Sequence, residues 1–103
     1  MEVIDHEPHA WFLFREEDRL LFDANCNHNT VGYSYTIKLS PEEINKYKNG
    51  GHEYLNNLAY DIHYSAPVSN GSNSIYKGRD LSDKYSDKLI KAIKSWREEN
   101  ESA

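Results

Sequence analysis

Val31-Gly32-Tyr33-Ser34-Tyr35-Thr36-Ile37-Lys38-Leu39 alternates without a break. Val31, Tyr33, Tyr35, Ile37 and Leu39 fall on one face, and Gly32, Ser34, Thr36 and Lys38 on the other. This is the period of a strand with one buried and one wet side. A slip of one residue would turn all five apolar side chains into water, so the pairing of this strand is strongly specified. Immediately after it, Ser40-Pro41-Glu42-Glu43 opens a helix. Ser40 can cap, Pro41 has no N–H to leave unsatisfied, and Glu43 stands where it closes a capping box.

Working upstream, Ala10-Trp11-Phe12-Leu13-Phe14 is an aromatic run too short for a helix, stopped by Arg15-Glu16-Glu17-Asp18. It reads as a strand ending in a turn. The chain returns with Leu20, Phe22, Ala24 and Cys26 alternating against Leu21, Asp23 and Asn25, a second half-buried strand. Downstream, Asn49-Gly50-Gly51 ends the first helix, and Leu55, Leu58, Ala59 and Ile62 recur at helical spacing to form another. Residues 65–80 read as a loop around Pro67 and the Ser69–Ser74 cluster. A last helix carries Tyr85, Leu89, Ala92, Ile93 and Trp96 on one stripe and Lys84, Lys88 and Lys91 opposite.

Strands at about 10–39 followed by helices at about 41–64 and 81–98 are segregated, which indicates an α+β fold. The expected architecture is an antiparallel meander of about three strands with the helices packed on one face, and 103 residues make one domain over 1–103. The expected core is Trp11, Leu13, Phe22, Tyr35, Ile37, Leu55, Leu58, Ile62, Leu89, Ile93 and Trp96. Because residues 10–14 are apolar on both sides, Phe12 and Phe14 compete with Trp11 and Leu13 for the inward face.

The composition excludes several function classes. The net charge is −5, so a clustered basic surface for phosphate backbones or anionic lipid is not expected, and neither nucleic acid nor membrane is a partner. Residues 1–75 carry 5 basic and 11 acidic side chains, whereas 76–103 carry 7 and 6. A single cysteine, Cys26, permits no internal disulfide, the first residues show no basic, apolar leader pattern, and no apolar run could cross a bilayer. The chain reads as cytoplasmic.

Chemistry-bearing residues are sparse. His6, His9, Cys26 and His28 would make four zinc ligands, but Pro8 separates the histidines, and Cys26 alternates in phase with Leu20, Phe22 and Ala24, so a core cysteine is the expected reading. As a nucleophile, Cys26 would need His28 or His63 as base and Asp23 or Asp61 as orienting group, and no local signature joins them. Gly50-Gly51 lacks a phosphate-binding fingerprint, and Glu16-Glu17-Asp18, Glu42-Glu43 and Glu98-Glu99 read as exposed charge rather than an acid–base pair across a cleft. No catalytic residue, metal or cofactor is assigned.

What remains is a binding module. Tyrosine joins an apolar body to a polar tip and suits protein interfaces. The expected partner surface comprises Glu16, Glu17, Asp18 and Asp23 with Tyr60, Tyr64 and Tyr76, and the expected partner is a basic protein steered by charge. In size, acidity, single domain and want of catalytic motifs, the whole chain resembles, in type, the immunity proteins of bacterial toxin–immunity systems, such as those of contact-dependent growth inhibition. That resemblance implies an inhibitor that neutralises a basic toxin such as a nuclease, and it assigns no residue a role. The other readings of the residues are a small Cys/His-dependent enzyme or metal-binding protein, and a homodimeric structural subunit. Monomer and homodimer stay open.

Overall fold

The alternating stretch forms the last strand of an antiparallel sheet. The computed structural model describes residues 1–8, 10–28, 31–65 and 74–101. Its elements are β1 (Glu2–Glu7), β2 (Trp11–Glu16), β3 (Arg19–His28), β4 (Val31–Lys38), α1 (Pro41–Ser65) and α2 (Ser82–Glu101). The four strands lie in chain order, β1-β2-β3-β4, and every neighbouring pair is antiparallel. The fold is α+β. There are four strands rather than about three, because Glu2–Glu7, too charged to read as a strand, pairs along β2 as an edge with a register shift between Val3 and Asp5. Edge strands commonly carry charge and irregularity of this kind.

The helices do not share a face of the sheet, as the pattern of β4 suggested; they cover both. Trp11 and Leu13 of β2, Phe22 and Ala24 of β3, and Tyr35 and Ile37 of β4 pack with Leu55, Leu58 and Ile62 of α1. Phe14 of β2 and Leu21 of β3, at the alternate positions, pack with Tyr85, Leu89 and Ala92 of α2. Residues of opposite parity on one strand point to opposite faces, so these are two cores on two sides. The competition within residues 10–14 therefore has no loser: Trp11 and Leu13 are buried under α1, Phe14 under α2, and Phe12 half-buried beside it. Ile93 and Trp96, expected in the core, are half-buried, and Trp96 lies edge-on to His6 at 4.4 Å at the rim of the second core. Cys26 lies in β3 opposite Tyr33, but its side chain, like that of His28, is outside the described residues, as is His9.

The capping box forms. Glu43 N–H donates to Ser40 Oγ (3.2 Å), and Ser40 N–H donates to Glu43 Oε1 (2.8 Å). Glu43 is further held by Arg79, whose two terminal nitrogens donate to its two oxygens and whose Nη2 also reaches the Lys38 carbonyl at 2.7 Å. Burial pushes the Glu43 carboxyl up, but the hydrogen bonds from Arg79 and Ser40 win, and the net displacement is downward. The segment carrying Arg79 also seals the outer edge of β4: Thr36 N–H donates to Asp80 Oδ1 (3.1 Å), and Leu81 N–H donates to the Thr36 carbonyl (2.7 Å).

The break expected at Gly50-Gly51 is real. Gly51, inside α1, has φ 62° and ψ −144°, a backbone region that only glycine occupies without strain. It re-aims the second half of α1 so that Leu55, Leu58 and Ile62 face the sheet. A Cβ at Gly51 would meet nothing within 4 Å, so Gly51→Ala tests the backbone alone. It should cost about 1–3 kcal/mol in urea unfolding, and a neutral result would show that the kink carries no strain.

Candidate functional site

The seven residues expected to form one surface are not brought together, and two of them, Asp23 and Tyr76, are buried. Glu16 is drawn toward α2, with Oε2 3.5 Å from Lys88 Nζ, so its charge is met within the protein. Glu17 and Asp18 are exposed in the two-residue turn joining β2 to β3, where Glu17 takes the left-handed φ of 56°. Tyr76 is withdrawn from the surface: it is 7% exposed, it packs in the α1-side core, and its carbonyl accepts the Tyr35 hydroxyl at 2.7 Å. Asp23, read as a solvent-facing acid, is also 7% exposed and lies on the α2 side of the sheet. Tyr60 and Tyr64 are where the expectation placed them, 60% and 68% exposed.

Those two tyrosines sit on the outer side of α1 after the Gly51 kink, with ring centroids 4.2 Å apart. Four residues apart on a helix, they are neighbours on one face. Glu53, Asn57 and Asp61 are exposed along the same side, and residues 49–76 contain no lysine or arginine. Beside the tyrosines is an open pocket of about 290 Å³, floored by Ala10, Trp11 and Ala59 and rimmed by Tyr60, His63 and Tyr64. The Trp11 indole N–H donates to Asn56 Oδ1 at 2.9 Å, which fixes α1 over the start of β2. Trp11 and Glu16 begin and end β2. The tyrosine pair therefore lies at one end of the sheet and the Glu17-Asp18 turn at the other, separated by roughly 17 Å of strand.

Near the Trp11 end, His52 of α1 bridges two carboxylates of β1. Its Nδ1 is 3.0 Å from Asp5 Oδ1 and its Nε2 2.7 Å from Glu7 Oε2. Carboxylates only accept, so both contacts are hydrogen bonds when the ring is an imidazolium. The hydrogen bonds to Glu7 and Asp5 push the His52 pKa up. Sign follows from that direction: the contribution is full below the ordinary histidine range and is lost as pH rises through the raised value. The group is open to water, so this ties the edge strand to α1 weakly.

Asp23 stands in a different setting. Thr36 Oγ1 donates to its Oδ1 at 2.9 Å, and the carboxyl lines a cavity of about 210 Å³ with Ser34, Thr36 and the α2 residues Ser86, Leu89, Ile90 and Ile93. Burial raises its pKa to about 6 against the opposing Thr36 hydrogen bond, with Asp80 adding to the rise. Sequence reasoning missed this cleft by treating the odd positions of β3 as wet. Leu21, apolar and two residues before Asp23, was the signal that this side is covered too.

Among the described residues, no group of three or more His, Cys, Asp or Glu side chains is placed to hold a metal ion. Among them, no helix is long and apolar enough to cross a membrane. Comparison of the chain with protein-family models, curated proteins and solved structures finds no match.

Proposed function

We propose that this protein is a binding module for a basic protein, an inhibitor of the immunity-protein kind directed at a basic toxin, and that it engages its partner through the outer side of α1 after Gly51. The observation that carries this reading is the pair of exposed tyrosines with tilted rings in contact, set beside a pocket on a helix side that bears Glu53 and Asp61 and no lysine or arginine. Exposed aromatic anchors next to a cavity are the usual centre of a protein interface, and unscreened acids around them steer a basic partner. The Glu17-Asp18 turn is less suited, because Arg15, Arg19 and Lys88 stand close to it along β2, β3 and α2. Its charge is mixed.

The two contributions separate kinetically. Tyr64→Ala should speed dissociation of the partner by about 10–30-fold with little change in association rate. Joint reversal of Glu53 and Asp61 to lysine should slow association and flatten its salt dependence, whereas reversing Glu17 and Asp18 should do neither. Surface plasmon resonance over a salt series reads all three. An acidic partner, or a hairpin reversal that outweighs the α1 reversal, contradicts the proposal.

A further inference from the structure

The sheet carries a second recess, on the side away from Tyr60 and Tyr64. We infer that the cleft between α2 and β3–β4 is a binding site for a linear alkylammonium group, which places its charge on Asp23 and its carbon chain against Leu89, Ile90 and Ile93. The cavity has two chemically distinct parts. One wall is polar, with the buried Asp23 carboxyl held by Thr36 and the exposed Ser34 and Ser86 beside it. The other wall is aliphatic, formed by the buried Leu89 and half-buried Ile93, with Ile90 of α2 left 64% exposed at the rim. At about 210 Å³ it is smaller than the ~300 Å³ at which drug-sized pockets begin, so its occupant is the size of one extended side chain.

A buried carboxylate with an apolar approach is complementary to a lysine-like group and to little else. A neutral chain would leave the carboxylate without a counter-charge, and an anion would be repelled by Asp23 and by Asp80 beyond Thr36. Guanidinium prefers two parallel oxygens, whereas Thr36 already occupies Asp23 Oδ1. Ammonium, a compact point charge on a flexible stem, fits a single remaining acceptor. No lysine or arginine is among the residues lining this cavity, and Lys94 and Arg97 of α2 line the adjoining recess with Glu98. The arrangement is independent of the α1 side and would stand if that reading failed.

The test is titration of the full chain with n-alkylammonium chlorides of two to five carbons, followed by amide chemical shifts of Thr36 and Ile90. Saturable shifts are expected at pH 7.5, with affinity rising about two- to fourfold per methylene. Binding should weaken at least tenfold in Asp23→Asn and at pH 4.5, where the carboxyl is protonated, and n-pentanol should not compete. Ile90→Lys, at an exposed position that leaves the core untouched, should weaken it at least fivefold by holding a cation at the rim. Two further probes separate the sources of such a group. Tighter binding of Nα-acetyl-lysine methylamide than of 1,5-diaminopentane assigns the site to a lysine presented by a protein, and the reverse assigns it to a free amine. Equal binding by Asp23→Asn, displacement by pentanol, or no saturation with any of the amines overturns the inference.

Discussion

Replacing Phe14 by alanine is expected to cost about 3–5 kcal/mol of folding free energy, the loss for emptying a fully enclosed aromatic site. Phe14 is 0% exposed and packs against Leu21 on the sheet side covered by Tyr85, Leu89 and Ala92 of α2. With a single-sided core, Phe14 would lie on the wet face whenever Trp11 and Leu13 lie inside, and its removal would cost almost nothing. Both sides are buried here, so Phe14→Ala and Leu13→Ala should each be severe. Total stabilities of ~5–15 kcal/mol are usual for a domain, so a loss of this size leaves a substantial unfolded fraction. Urea unfolding of the two variants decides the matter; a Phe14→Ala change below about 1 kcal/mol would remove α2 from the sheet.

The second large effect comes from a group that burdens the fold. Asp23 has its pKa raised to about 6 by burial, from an ordinary 3.8. Between those values the folded chain holds a proton that the unfolded chain has released. Stability is therefore full below the unfolded value, falls as pH rises through the folded one, and then stays low. The total loss is ~3 kcal/mol, since each pKa unit corresponds to ~1.4 kcal/mol. Asp23→Asn retains an acceptor for Thr36 and removes the charge. It should raise stability near pH 7 by up to ~3 kcal/mol and abolish the decline between about pH 4 and pH 6. The weaker decline at higher pH, from His52 losing its proton between Asp5 and Glu7, should persist in the variant. Equal stability of variant and parent across this range would contradict the burial of the charge. A residue whose ionisation costs the fold this much, lining a cleft, fits the common trade of stability for binding.

Much of this architecture was legible in the residues. Alternation placed Tyr35 and Ile37 inward, Ser40 and Glu43 marked the start of α1, and the Gly50-Gly51 pair located the kink, because each signal is local and has a single physical reading. β1 was not legible: Glu-Val-Ile-Asp-His-Glu is an edge strand whose charges keep other chains away, and it lacks the apolar period that marks an interior strand. Double-sided burial was half visible, since Phe12, Phe14 and Leu21 all stood on the nominally wet face. Polar Asp23, Ser34 and Thr36 among them suggested solvent, but the polar patch is the wall of a cleft. Tyr76 was beyond reach of pattern alone. It packs in the α1-side core, and its carbonyl accepts the Tyr35 hydroxyl across 41 residues of chain. The exposure of Tyr60 and Tyr64 was legible because they lie off the Leu55–Ile62 stripe, and a helix stripe fixes its own opposite side.

The proposed docking of a basic partner is on the outer side of α1, away from the mixed-charge β2–β3 turn. Photo-crosslinking in cells of the source organism tests it most directly, with p-benzoylphenylalanine placed at Tyr64 in one version of the protein and at Glu17 in another. Both positions are exposed, so both side chains can react with whatever is bound. A discrete adduct with a strongly basic protein is expected from position 64 and none from position 17. An adduct from position 17 alone, or an acidic protein captured at position 64, would contradict it.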